Sequence, residues 1–408
     1  PPAAGERFSG AERHKSQGAN TMISGKTLQE LALEVERQSN AQHDLIVPSG
    51  QMEMRAHDGL APALAVKGES DLFPMTETGH DTLASRLNIP GRYYERMRAE
   101  APALLSYNVN EWLRQESEQG VSRMVRTLDG QARAVLSDKY KRLDNHEFLM
   151  TVFPVLLEAG KRDGTTVEVQ SSEITERRMY VQLTFEGLEM EFPVNRQRRQ
   201  VGEVVKAGLV LKNSEVGYGC REISFLAYTL ACTNGLILPR SLGSFTTRHV
   251  GGRQGNGSLF ALSQEAQQAD ARAFALATRD AVRQMVSRDN LQELVNRMQA
   301  ANGRPITGHV EQSVKVLGKS YSLTQDEQDN ILRHLITDGD LTHYGLTNAI
   351  TRSAQDAPSY DRAIELEEIG GVFLHLPERQ QPFLDFQKRY SVYVSPRGKN
   401  PTGPAQEG

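Results

Sequence analysis

The residues with the strongest claim to chemistry are basic and lie between positions 192 and 254. That span holds nine Lys and Arg against three Glu, a surplus of six positive charges in a chain whose formal charge is −4. Taking +6 from −4 leaves −10 for the rest of the chain. Three arginines, Arg196, Arg198 and Arg199, sit in NRQRRQ (195–200). Lys206 and Lys212 flank an apolar run at 204–211, and Arg240, Arg248 and Arg253 come from the segment that returns after it. Brought together, such side chains neutralise phosphates and release counterions, which is the electrostatic basis of nucleic-acid binding. Tyr218 and Phe245 supply aromatic faces of the kind on which single-strand binders stack bases. The plainer reading makes 196–199 a solvated turn and both aromatics core.

A second group is acidic: Asp129, Asp138, Asp144 and Glu147 crowd a hairpin and the helix after it. Carboxylates near strand ends can hold Mg²⁺ for phosphodiester chemistry. Each also has a local explanation, since Asp129 suits a turn and Asp144 suits a helix cap. A third group is GGRQGNG (251–257), whose glycines allow backbone N–H groups to wrap a phosphate. Such loops normally lead straight into a helix. Here the helical pattern starts several residues later, so a tether fits better.

The usual catalytic signatures are missing. There is no G-x-x-x-x-G-K-[ST] loop, and His146-Glu147 lacks the second histidine of a zinc-binding HExxH. No two histidines are spaced four apart on a predicted helix. Cys220 and Cys232 are too few for a disulfide framework or a four-thiolate metal site, and both read as core. No cofactor is expected. The 408 residues allow two domains, and 38% hydrophobic with 24% charged is ordinary for a globular protein. No apolar run approaches eighteen residues, so no membrane span is expected. The first 22 residues lack the apolar core of a secretory signal. A reducing, cytoplasmic setting follows as the expectation.

The elements that must position these residues read as α+β: a mostly antiparallel sheet near 120–250, flanked by helices, with a helical C-terminal third. Residues 1–26 are expected to be a disordered leader, 27–258 the core domain, 259–391 a helical region packed on it, and 392–408 a disordered tail. Thr27 and Glu30 form a capping box before a helix at 28–39, and Thr324 and Glu327 form a second. Residues 44–55 read as extended, broken at Pro48-Ser49-Gly50. Residues 79–99 read as helix, turn, helix, with Arg92, Arg96 and Arg98 on or near the second. That shape resembles a helix-turn-helix, although such pairs are common packing units. Asp129-Gly130 between alternating runs marks a hairpin over 121–137.

Residues 146–159 read as a helix that Pro154 must kink or split. Strands are predicted at 165–170, 178–185 and 244–250, with a strand buried on both faces at 204–211. After Gly219 the pattern predicts a short strand to Ile223, then a helix over 225–233 closed by Asn234-Gly235. Helices follow from 263, one presenting Phe274, Ala277, Ala281 and Met285. The last, over 359–371, is expected to stop at Gly370-Gly371.

Several stretches together resemble a known group. They are SRLNIPGRYYERM (85–97) with NVNEWL (108–113), VRTLDGQARAVLSDKYKRLDN (125–145), SSEITERRMY (171–180), GLVLKNSEVGYG (208–219) with CTNG (232–235), and YGLTNAITRSAQDAPSYDRAIELEEIGG (344–371). In this order they are similar to an uncharacterised phage- and plasmid-borne family of bacterial mobile elements, over roughly residues 80–375. The resemblance implies a mobile-element gene expressed in a bacterial cytoplasm, and it transfers no catalytic residue.

The expectation is therefore a non-enzymatic nucleic-acid-binding protein, single-stranded DNA favoured, serving recombination or replication. From 338 to 380, eight acids and three bases leave −5, so this region is a candidate to meet a neighbouring subunit's basic face in a homo-oligomer. The alternatives are a Mg²⁺-dependent nuclease using Asp138, Asp144 and Glu147, and a protein that binds a host factor.

Overall fold

Strand β9 (Arg199–Asn213) is the axis of the molecule. The computed structural model describes residues 25–377 except 57–60, 197–198, 231–233, 240–243 and 248–263. Within it β9 is flanked by β8 (Met179–Arg196) and β10 (Arg221–Thr229). β7 (Thr166–Ile174) and β11 (Asn234–Ile237) lie outside these, giving the order β11-β10-β9-β8-β7, with β12 (Ser244–Thr247) also paired to β10. Every pairing in this sheet is antiparallel.

The middle of the sheet is covered on both faces, which is why β9 over 204–211 reads as a nearly unbroken apolar run. On one face Val181, Leu183, Val205, Ala207, Leu209, Leu211, Ile223 and Phe225 form the main core. Helices α1 (Leu28–Ala41), α5 (Asn145–Asp163), α6 (Gln264–Met285) and α7 (Arg288–Asn302) supply residues to it. The opposite face packs Tyr180, Val210, Leu226 and Ile237 against Tyr360 and Ile364 of α11 (Tyr360–His375). Inward residues of β8 are odd-numbered up to Phe185 and even-numbered from Phe192. A bulge between Thr184 and Glu189 causes the switch, because inserted residues reverse which side chains face the core.

The rest of the chain forms two smaller bodies. β1 (Gln42–Pro48), β5 (Ser122–Leu128) and β6 (Gln131–Ser137) make one three-stranded sheet; β2 (Met52–Arg55), β3 (Ala63–Val66) and β4 (Phe73–Pro74) make another. They share an apolar core with α2 (Glu77–Arg86), α3 (Gly91–Glu100) and α4 (Pro102–Glu118). Toward the C-terminus, α8 (Val310–Tyr321), α9 (Gln325–Asp338), α10 (His343–Arg352) and α11 bury Leu317, Ile331, Leu335, Ile350 and Phe373 together. The fold is α+β with a helical C-terminal part. No helix among the described residues is long and apolar enough to cross a membrane.

Local rules hold where the signal is local. Both capping boxes form, and Asp129 and Gly130 take the positive φ that their turn needs. Three expectations fail. The β5–β6 hairpin pairs with β1 in a sheet of its own. Residues 225–229 continue β10, and Asn234-Gly235 open β11. Every residue of β10 is buried, and a strand buried on both faces shows no alternation to separate it from a helix. Helix α5 is continuous through Pro154, so of the two outcomes expected there the split does not occur. Helix α11 runs through Gly370-Gly371 to His375, because a Cβ on Gly371 would lie 1.9 Å from the Ile237 carbonyl oxygen. Gly371 permits close approach to β11 and Gly370 to Thr351 of α10; they do not end the helix.

Candidate nucleic-acid interface

The basic segment NRQRRQ lies at the end of a two-stranded ribbon. β10 pairs with β9 only from Val205 to Lys212, and β7 pairs with β8 only as far as Glu186. Beyond that, β8 and β9 pair with each other through Val194↔Val201 and Asn195↔Gln200 to Arg196↔Arg199. Six residues per strand carry the ribbon about 20 Å past the rest of the sheet. Its base is held from one side. Phe192 and Val194 enter the main core, and Phe192 meets Tyr344 of α10 edge-on with centroids 5.3 Å apart. Asn302, at the end of α7, donates to the Pro193 carbonyl at 3.2 Å. Arg196 and Arg199 are thus cross-strand partners at the tip, while Arg198 lies outside the described residues.

Among the described residues, the others expected at this interface do not join them. Lys212 is buried, with Nζ 2.6 Å from Glu222 and also paired to Glu368 of α11. It sits about 40 Å along β9 from Arg199, at a strand's rise per residue. Lys206 is nearer the ribbon but bonds Glu186 across the bulge. The Tyr218 ring lies 4.7 Å beneath the Arg177 guanidinium, and its hydroxyl donates to Asp81 at 3.0 Å. Phe245 packs against Phe274 with centroids 6.0 Å apart. Both rings are half-buried and lie toward the Asn213 end of β9, away from the ribbon tip. Arg240, Arg248 and Arg253 lie outside the described residues, as do Cys232 and the glycine loop. Strand β12, which leads toward Arg248, pairs Thr247 with Arg221, at the opposite end of the sheet from the ribbon tip. Cys220 is only half-buried, not core.

The acidic residues are engaged separately, Asp144 half-buried and Asp129, Asp138 and Glu147 at the surface. Asp144 holds Arg126 at 2.7 Å, and this guanidinium keeps its carboxyl below the usual range against the opposing effect of burial. Glu147 pairs with Arg221 at 3.2 Å, and Asp138 accepts from Ser137 at 3.2 Å. Asp129 pairs with Arg37 at 2.8 Å. Among the described residues no group of three His, Cys, Asp or Glu could hold a metal ion. Arg96 and Arg98 of α3 are likewise paired, to Glu100, and to Glu77 and Glu95.

A set of arginines outside the predicted site is the main surprise. Arg126, fully buried in β5, reaches Asp44 at 3.0 Å, Asp144 and the Glu215 carbonyl at 2.9 Å. Arg133 in β6 meets Glu215 at 2.8 Å and Gln42 at 3.0 Å. Arg177 and Arg178 follow β7 in its turn to β8. The sequence carried a usable signal: an arginine inside each apolar arm of the Asp-Gly hairpin implies a buried partner, since an unpaired charge is not tolerated there. Comparison with protein-family models, with curated proteins and with solved structures gives no match.

Proposed function

We propose that this chain is a nucleic-acid-binding protein, of the kind a mobile element uses in recombination or replication, and that it binds through the β8–β9 ribbon. One observation carries the reading: Arg196 and Arg199 are paired across a two-stranded ribbon that outruns its sheet, with Arg198 between them in sequence. A β-ribbon fits the major groove of a duplex or lies along a phosphate backbone, and arginine forks match phosphate oxygens. Tyr218 and Phe245 lie toward the Asn213 end of β9, away from the ribbon tip, so phosphate contact is the mode the ribbon supports. The nuclease alternative loses its support because Asp144 and Glu147 each face an arginine.

Binding to labelled duplex and single-stranded DNA across a salt series tests this. The affinity should fall steeply with salt, and R196A/R198A/R199A should flatten the log–log slope by roughly 2 to 3 for duplex, near 0.9 for each phosphate that is no longer neutralised. An unchanged slope in that variant removes the ribbon from the interface.

A further inference from the structure

At the seam between the small sheet and the large one lies an open cavity of about 260 Å³. Segments distant in sequence meet there: the β5–β6 turn, the β7–β8 turn, the start of α5 and the β9–β10 loop. We propose that this cavity is a binding site for a small oxyanion, a phosphate- or carboxylate-bearing metabolite, held by Arg178 and Arg133. The proposal is independent of the ribbon.

One guanidinium in the wall lacks a directly bonded anion, and a second, buried behind the surface, keeps a donor without an acceptor. Arg178 gives Nε and Nη2 to the Tyr218 carbonyl, at 2.9 and 2.5 Å, and Nη1 to the Tyr180 hydroxyl at 3.5 Å. All three bonds are to neutral oxygens, and among the described residues no carboxylate lies within ion-pair distance of this half-buried guanidinium. Arg133 is only 7% exposed, and its Nε has no acceptor although its two terminal nitrogens are engaged. Asp361, behind the Tyr180 hydroxyl, and Glu368 favour the charge of Arg178 only from a distance, so an anion arriving in the cavity would be its first direct ionic partner.

The carboxylates in the same wall are already occupied. Glu215 takes Arg133 at 2.8 Å and the backbone N–H of Asn145 at 2.6 Å. Asp129 takes Arg37, and Glu176 accepts from the Thr78 N–H at 2.6 Å, at the start of α2. Of the three arginines in the wall, Arg178 alone among the described residues has no carboxylate at ion-pair distance, since Arg133 has Glu215 and Arg177 has Asp81. The space exceeds that of a water molecule many times over, about 30 Å³ each in the liquid, and so accommodates an ion with an organic body.

Calorimetric titration of the full chain with inorganic phosphate, succinate and a nucleoside monophosphate tests the site and tells phosphate from carboxylate sources. We expect saturable one-site binding of at least one probe, unaffected by R196A/R198A/R199A. Arg178→Met should weaken it about tenfold or more, the scale of one charge-assisted hydrogen bond. Glu176→Gln keeps an oxygen for the Thr78 N–H and removes a negative charge from the wall, so it should tighten binding. That opposite sign is one that general loosening of the fold does not produce, and it decides the matter if Arg178→Met does not fold. Absence of saturable binding of all three probes, equal affinity in Arg178→Met, or weakening in Glu176→Gln overturns the proposal.

Discussion

Glu367 is a carboxyl group removed from water, wedged between α11 and the outer face of the sheet. It faces the Gly235 N–H at 3.1 Å and the Gln182 amide at 2.5 Å, and burial pushes its pKa up to about 8. The Gln182 oxygen has no partner in the orientation shown. With that amide turned over, the neutral carboxyl donates to it at a distance suited to O–H···O. Between about 4.5 and 8 the folded chain binds a proton that the unfolded chain has lost, so this group's contribution to stability declines as pH rises through that window. Urea unfolding at pH 5 and pH 8 should show Glu367→Gln with a shallower pH dependence than the parent. An equal loss in both places the titration elsewhere. Asp144 has the opposite sign: its depressed carboxyl pKa adds stability above the ordinary carboxylate range, lost as pH falls through the folded value. Arg126→Met strands Asp44 and Asp144 without their buried partner and should cost about 3–5 kcal/mol, read from the same unfolding curves at neutral pH.

At the scale of elements, the local devices were legible and the long-range ones were not. The capping box of α9 is doubly used, because Glu327 both accepts from Thr324 and grips Arg362 of α11 at 2.6 Å. Thr324→Ala should therefore cost about 1 kcal/mol, a typical cap loss, while Glu327→Ala costs more because it also frees Arg362. Thermal unfolding of the two variants side by side checks the order. The β8–β9 ribbon was foreseeable as a hairpin from its two apolar runs. Its reach was not, since that depends on where β7 and β10 stop pairing. The same limit explains the helix expected at 225–233: a strand whose nine residues are all buried shows no periodicity to read.

Across the molecule, the acidic end of the charge separation is largely answered inside the chain among the described residues. Glu368 pairs with Lys212, Asp338 with Arg352 at 2.7 Å, and Asp356 with Arg333 at 3.0 Å; Asp361 accepts from Tyr180 at 2.6 Å. These bonds fasten the C-terminal helices to the sheet and to each other, which weakens the case for an acidic face reserved for a neighbouring subunit. Lys212→Met leaves Glu222 and Glu368 without their cation and should lower stability by several kcal/mol, within the roughly 3–5 kcal/mol range for broken buried pairs. Its DNA affinity, corrected for the folded fraction, should stay at the parent value. A drop in affinity as large as that of the ribbon variant would return Lys212 to the interface.

The sequence by itself determined what depends on neighbours a few residues apart: the two capping boxes, the Asp-Gly hairpin, the α+β class and the local density of arginine at 195–200. Those features follow from backbone hydrogen bonding and side-chain periodicity, which act within a turn or two. Tertiary structure alone decided which charges are enclosed. Lys212 and Arg196 look alike in a string of residues, yet one is held between two glutamates and the other stands at the end of a ribbon. The cavity at Arg133 and Arg178 is likewise invisible until the turns of two different sheets meet. Burial and pairing are properties of segments brought together from far apart, and local spacing carries no record of them.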